Sequence, residues 1–179
     1  MEAQVLITEL IELTQSNMNE VEEFKKLDNA SLNRRVDNES WSILECMEHV
    51  NRYGDFYIPE IKRCIENSNY EKSEVFKSGI LGNYFAKSML PKEKLNKMKT
   101  FTSMNPINSD LDRDVLDKFM RHQEILLDLL NKARASNLTK IKTAISISKW
   151  MKLRLGDTFR IVIYHNWRHV VQAKKLVEK

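Results

Sequence analysis

Glycine and proline are scarce in this chain, four and three residues in 179. A fold built from many strands needs many turns, so that shortage points instead to helices with few breaks. Cysteine is limited to Cys46 and Cys64. The opening segment MEAQVLITELIELTQ carries acidic residues and lacks the basic start and apolar centre of an export signal. Both thiols are therefore expected to be reduced, in a cytoplasmic protein. No apolar run approaches the roughly 20 residues that a membrane-spanning helix requires. Neither sign of charge dominates: 29 basic residues face 25 acidic ones, for a net charge of +4. That slight excess suits an anionic small molecule. It is not the concentrated basic stripe of a nucleic-acid-binding protein, and no helix-turn-helix, zinc-finger or aromatic RNA-binding pattern accompanies it.

What is present suits one domain over residues 1–179: 42% of the residues are hydrophobic, and no Gly/Ser/Pro-rich linker divides them. Apolar residues recur at three- and four-residue steps from Glu2 to Asp28, through Leu6, Leu10, Leu13, Val21 and Phe24, which predicts a long amphipathic helix. Asp28 to Ser40 is a polar connector. Trp41-Ser42-Ile43-Leu44-Glu45 then opens a second helix, because Ser42 and Glu45 have the spacing of a reciprocal capping box. Trp41 is placed to pack against Cys46. This helix runs to about Asn67, with Pro59 as a candidate kink. Residues 68–108 are irregular, with one short amphipathic helix carrying Ile80, Leu81, Tyr84, Phe85 and Met89. Leu81, Tyr84 and Phe85 are expected to cover apolar surface at one end or flank of the molecule. Lys87, Lys92, Lys94, Lys97 and Lys99 crowd the neighbourhood of Pro91. A third long helix spans about Ser109 to Ala135, and a fourth starts near Gly156-Asp157, where the acid complements the helix dipole. Residues 137–155, between them, read as extended or loop. The expectation is an all-α fold, most simply an antiparallel four-helix bundle.

Four histidines occur, two of them in His165-Asn166-Trp167-Arg168-His169. A spacing of four puts both imidazoles on one helical face, one turn apart, where they can chelate one ion. The face continues through Val162, Gln172 and Leu176, so it points inward. His49 lies on the second helix in a stripe with Cys46, Val50, Tyr53 and Tyr57. A lone pair at this spacing more often makes ordinary hydrogen bonds, but a third inward histidine favours a metal. Cys46, about one turn before His49, suits either a fourth ligand or a small core residue. His122 either borders the cavity as a base or substrate contact or makes a buried hydrogen bond. Gln172 suits either orientation of a ligand or bound water, or helix packing. Tyr53 and Tyr57 suit a pocket wall or an aromatic core. Arg168 is expected to pair with a carboxylate. The residue after His165 is Asn166, not the glutamate of the zinc-protease helix, so that mechanism is unsupported.

Trp41-Ser42-Ile43-Leu44-Glu45 followed by His49, and Gly156-Asp157-Thr158-Phe159-Arg160 leading to Tyr164-His165-Asn166-Trp167-Arg168-His169-Val170-Val171-Gln172-Ala173, closely resemble the DinB-like superfamily. The resemblance extends through Phe76-Lys77-Ser78-Gly79 and Pro91. It implies an up-down-down-up four-helix bundle with a long crossover. It also implies a metal held by one histidine of the second helix and two of the last, which are His49, His165 and His169 here. Three neutral imidazoles suit zinc, nickel, iron(II) or cobalt, and they leave coordination positions open, as catalytic metals do. Characterised relatives use low-molecular-weight thiols such as bacillithiol or mycothiol, and many others are described as metal-dependent hydrolases. The resemblance thus implies a metal-dependent enzyme on a small molecule, a hydrolase or thiol S-transferase. It does not identify the catalytic residues; the candidates are those of the helix faces, Tyr53, His122 and Gln172. The lysine-rich segment would suit an anionic thiol cofactor. A non-catalytic metal-binding stress-response module is the alternative. Relatives often form homodimers.

Overall fold

The computed structural model describes residues 1–91, 100–146 and 148–178. Its local start signals work as the sequence suggests. Helix α1 spans Ala3–Phe24, and a short α2, Asn29–Asn33, follows with Asp28 accepting from the Ser31 N–H at its N-terminus. The connector expected between Asp28 and Ser40 therefore contains one helical turn. Helix α3, Ile43–Glu66, starts at the Ser42/Glu45 capping box with both reciprocal bonds made, and it continues through Pro59. Helix α4, Ile80–Met89, is the expected short helix. A 3-10 turn over Thr102–Met104 precedes α5, Asp114–Ala133, and α6, Leu155–Val177, ends the described chain.

The fold is mostly helical but not purely so. Strands β1 (Lys142–Ile145) and β2 (Ser148–Arg154) form an antiparallel hairpin, with a register irregularity between Ala144 and Ile145. The mostly helical expectation holds, and the hairpin falls within residues 137–155, the segment expected to be extended or loop. The cause lies in residues 141–145, where Ile141, Thr143 and Ile145 are buried and Lys142 is exposed. That is the two-residue period of a half-buried strand. The hairpin is fastened to its neighbours: Ala144 N–H donates to Glu60 Oε1 of α3 at 2.7 Å, and the Thr143 and Thr158 hydroxyls lie 2.6 Å apart.

Helices α1 and α3 each pack against both α5 and α6. Their apolar faces form two cores. One joins Leu6, Leu10, Ile58, Ile61, Leu126, Leu130, Phe159 and Ile163. The other joins Val21, Phe24, Leu44, Met47, Leu116, Phe119, Val170 and Ala173. Along each long helix the two sets are separated by buried polar residues: Thr14 and Asn17 on α1, His49 and Asn51 on α3, Gln123 on α5, Asn166 and His169 on α6. A buried polar layer thus lies between two apolar cores, and His49 and His169 belong to it.

Helix α4 lies on α6 through a different face from the expected one, and of the three expected covering residues Phe85 alone is half-buried. Leu81 and Tyr84 are 51% and 67% exposed, and the buried residues are Gly82 and Ala86. Asp157, fully buried in the first turn of α6, accepts from Gly79 N–H at 2.8 Å and from the Ser78 hydroxyl. A side chain at position 82 would run into that carboxylate. The small face must turn inward because Asp157 already occupies the space. Of the lysines near Pro91, Lys87 lies on α4; Lys92, Lys94, Lys97 and Lys99 fall outside the described residues. Among the described residues, no helix is long and apolar enough to cross a membrane.

Candidate metal centre

His49 comes from the second turn of α3, and His165 and His169 come from successive turns of α6. The Nε2 atoms of His49 and His165 lie 3.2 Å apart, and those of His165 and His169 lie 3.1 Å apart. Each of the three offers a ligand atom within 4.8 Å of the others. Nitrogens that share one ion at about 2.0–2.1 Å stand about 2.8–3.4 Å apart for coordination angles between octahedral and tetrahedral. The two Nε2 separations fall inside that window.

Hydrogen bonds on the far side of the rings select the tautomers. His49 donates its Nδ1–H to the Met104 carbonyl at 2.7 Å, and His169 donates its Nδ1–H to Gln172 Oε1 at 3.0 Å. Both Nε2 atoms then present lone pairs toward His165 Nε2. One proton carried by His165 can satisfy that point; a cation satisfies all three nitrogens at once. The outer partners and the direction of the rings are compatible with metal binding.

Electrostatics keep these rings neutral, the form that binds metal. Burial lowers the His49 pKa to about 4, with Arg52 adding to the shift and the Met104 contact opposing it. Burial also lowers those of His165 and His169 well below the usual range, helped by their histidine neighbours and by Arg168. His165 is half-buried, whereas His49 and His169 are buried. His165 is therefore the most exposed of the three.

The three histidines line a pocket of about 1110 Å³ whose walls also include Trp41, Tyr53, Tyr57, Phe85, Asn105 and Gln172. Tyr53 stands edge-on to His165, ring centres 4.9 Å apart, and the indole of Trp41 lies 4.6 Å from His49. Trp41 packs against the second apolar core, which holds Cys46, and its indole also faces a histidine ring. Tyr57 accepts at its hydroxyl from Ser146 N–H, at 3.3 Å. Arg168 is buried at the pocket wall.

Two candidates sit elsewhere. His122 does not line the pocket; its ring lies over Gly54, where a β-carbon would collide with it, and its Nε2 is 3.4 Å from Asp55 Oδ1. The glycine makes room for the ring between α3 and α5, which draws it away from the centre. Cys46 is buried in the second apolar core, outside the histidine group, and burial pushes its thiol upward. The Met104 carbonyl and Arg52 were not legible beforehand. A backbone oxygen 55 residues from His49 leaves no side-chain signal.

Neither the curated proteins nor the solved structures include a match to the chain. The model of the DinB superfamily, however, matches residues 10–173, a span that holds α3, α6 and all three histidines, and the chain belongs to that superfamily.

Proposed function

We propose that this protein is a metal-dependent enzyme that acts on a small molecule, with His49, His165 and His169 as the ligands of one divalent transition metal. The observation that carries the reading is the convergence of three Nε2 atoms at the wall of a large pocket. Three protein ligands leave room for water or substrate, whereas structural zinc is usually closed by four. The bound ion would ionise a water or thiol at neutral pH, or polarise a carbonyl.

The chain's own side chains have separable tasks in this reading. Met104 and Gln172 hold two imidazoles with Nε2 toward the ion. Trp41, Tyr53 and Tyr57 shape the walls and exclude water around the reacting group. Glu39 is the only carboxylate among the described pocket-lining residues. A nucleophile ionised by the metal suits such a pocket better than one that relies on a carboxylate base, so transfer of a small thiol and hydrolysis are the two reactions to test. The scaffold proposed for the centre is an up-down-down-up four-helix bundle. Its support is that α1 and α6 run from the first core to the second while α3 and α5 run back, with the long crossover before α5.

The test is metal analysis of protein purified without a histidine tag. It is followed by screens of thiol donors with electrophilic acceptors, and of simple amides and esters, with and without added zinc, nickel or iron(II). We expect about one ion per chain and metal-dependent turnover in one screen. Absence of metal binding at neutral pH would refute the site, and a tightly bound ion with no turnover in either screen would favour a non-catalytic metal protein.

A further inference from the structure

Glu45 does more than cap a helix. Its side chain is buried, and it accepts four hydrogen bonds where a capping box uses one. Oε2 takes Ser42 N–H at 2.9 Å and Arg35 Nε–H at 2.8 Å; Oε1 takes Asn108 N–H at 2.8 Å and a second Arg35 N–H. Arg35 also donates to Asn108 Oδ1 at 2.7 Å. Asn108 adopts a φ of 62°, in the left-handed region that asparagine tolerates better than most residues. That bend returns the chain to Glu45 four residues after Met104. A second tether comes from α3 itself: Arg52 donates to the carbonyls of Asn105 at 3.0 Å and Ser103 at 3.4 Å, while Glu48 holds its Nε–H at 2.9 Å. Both tethers flank Met104, whose carbonyl meets His49 Nδ1.

We propose that the Arg35–Glu45–Asn108 clamp, with Arg52, positions His49 for metal binding by holding the Met104 carbonyl against its Nδ1–H. This rests on the three-histidine reading above, and it adds residues that touch neither metal nor substrate. Neutral histidine in water carries its proton mostly on Nε2, the nitrogen that must be free here. The loop contact reverses that preference. With the carbonyl withdrawn, the ring is free to take the other tautomer or to rotate, and its Nε2 lone pair leaves the centre. Outer partners of this kind alter metal affinity by about 10–100-fold.

The measurement is a long-range proton–nitrogen NMR correlation of the histidine rings in metal-free, nitrogen-15-labelled protein near pH 8, paired with zinc affinity by chelator competition. The variants are Arg35→Gln and Arg52→Gln. Arg63→Gln is the control, since it removes a surface pair with Glu60 on the same helix. Wild type and Arg63→Gln are expected to show His49 protonated on Nδ1 alone. Arg35→Gln and Arg52→Gln are expected to shift that signal toward Nε2 protonation and to weaken zinc at least tenfold, with Arg52→Lys restoring part of both. If Arg35→Gln does not fold, Arg52→Gln carries the test. The proposal is overturned if wild-type His49 is protonated on Nε2, if the tautomer is unchanged in folded variants, or if the tautomer shifts with no loss of zinc affinity. Wild type that shows the expected tautomer but binds no zinc would refute the metal reading and leave the clamp's hold on His49 as the finding.

Discussion

At the scale of residues, the three histidines form a neutral, preoriented set, and two consequences can be measured. His165→Ala or His169→Ala removes one of the two proposed ligands on α6. Metal retained after purification should fall at least tenfold while the helical circular dichroism stays near wild type, since neither imidazole belongs to an apolar core. Loss of the helical signal together with the metal would mean that the rings hold the fold rather than the ion. The second consequence concerns the metal-free protein. His49 is held down to about 4 against an ordinary 6.5, and its partners are lowered as well. Below pH 6.5 the unfolded chain takes up protons that the folded chain refuses, so the stability these rings contribute is present above pH 6.5 and is lost as pH falls toward 4. Denaturant midpoints of the metal-free protein should drop between pH 7 and 5. A variant with glutamine at all three positions should show a shallower drop, and equal slopes would contradict this account. The sequence made the α6 pair legible because a spacing of four defines a helical face. It made His49 legible because the capping box sets the phase of α3. His122 lies on an equally apolar stripe, yet Gly54 draws it into a helix contact, and no periodicity distinguishes the two fates.

At the scale of elements, α4 shows how a local pattern can be read in the wrong sense. Its apolar side chains suggest a covering face, but it docks on α6 through Gly82 and Ala86, because Asp157 reaches out of α6 to bind the residues before α4. Gly82→Ala should therefore destabilise the protein by about 1–3 kcal/mol, although alanine is the better helix former. Hydrogen exchange should report the loss as faster exchange over residues 80–89, next to the pocket wall at Phe85. A neutral or stabilising effect would show that α4 can shift without penalty. The hairpin is the other element whose type stayed open in the sequence. Residues 137–155 mix β-branched and basic residues in a segment too short for either period to dominate, and pairing between β1 and β2 settles the matter through contacts that lie outside each strand. The long helices were legible for the opposite reason: their pattern repeats over five or more turns, and the Ser42–Glu45 box marks a start unambiguously. Their boundaries moved by a few residues, as for α5, which begins at Asp114 rather than Ser109.

At the scale of the whole molecule, two apolar cores enclose a polar layer, and that division determines what metal removal should do. Four long helices bury Leu6, Leu10, Ile61, Phe119, Leu130, Phe159 and many others without help from the histidines. The polar layer adds its own bonds, such as Asn166 to Gln123 at 3.1 Å and Asn51 to the Val115 carbonyl at 2.9 Å. Folding therefore does not wait for the ion, in contrast to a zinc finger, where binding energy is folding energy. The expected stabilisation by zinc at a hundredfold excess over its dissociation constant is only about 2.7 kcal/mol, from mass action alone. For a domain of this size such a gain raises the melting temperature by roughly 5–11 °C. Thermal melts of metal-free and zinc-loaded protein should both be cooperative and separated by about that interval. If the enzyme reading holds, turnover in the responsive screen should vanish on chelation and return when zinc is restored. A metal-free protein that has no cooperative melt at neutral pH would instead make the ion a structural fastening between α3 and α6. The polar layer would then be the weak point of the fold rather than its working site.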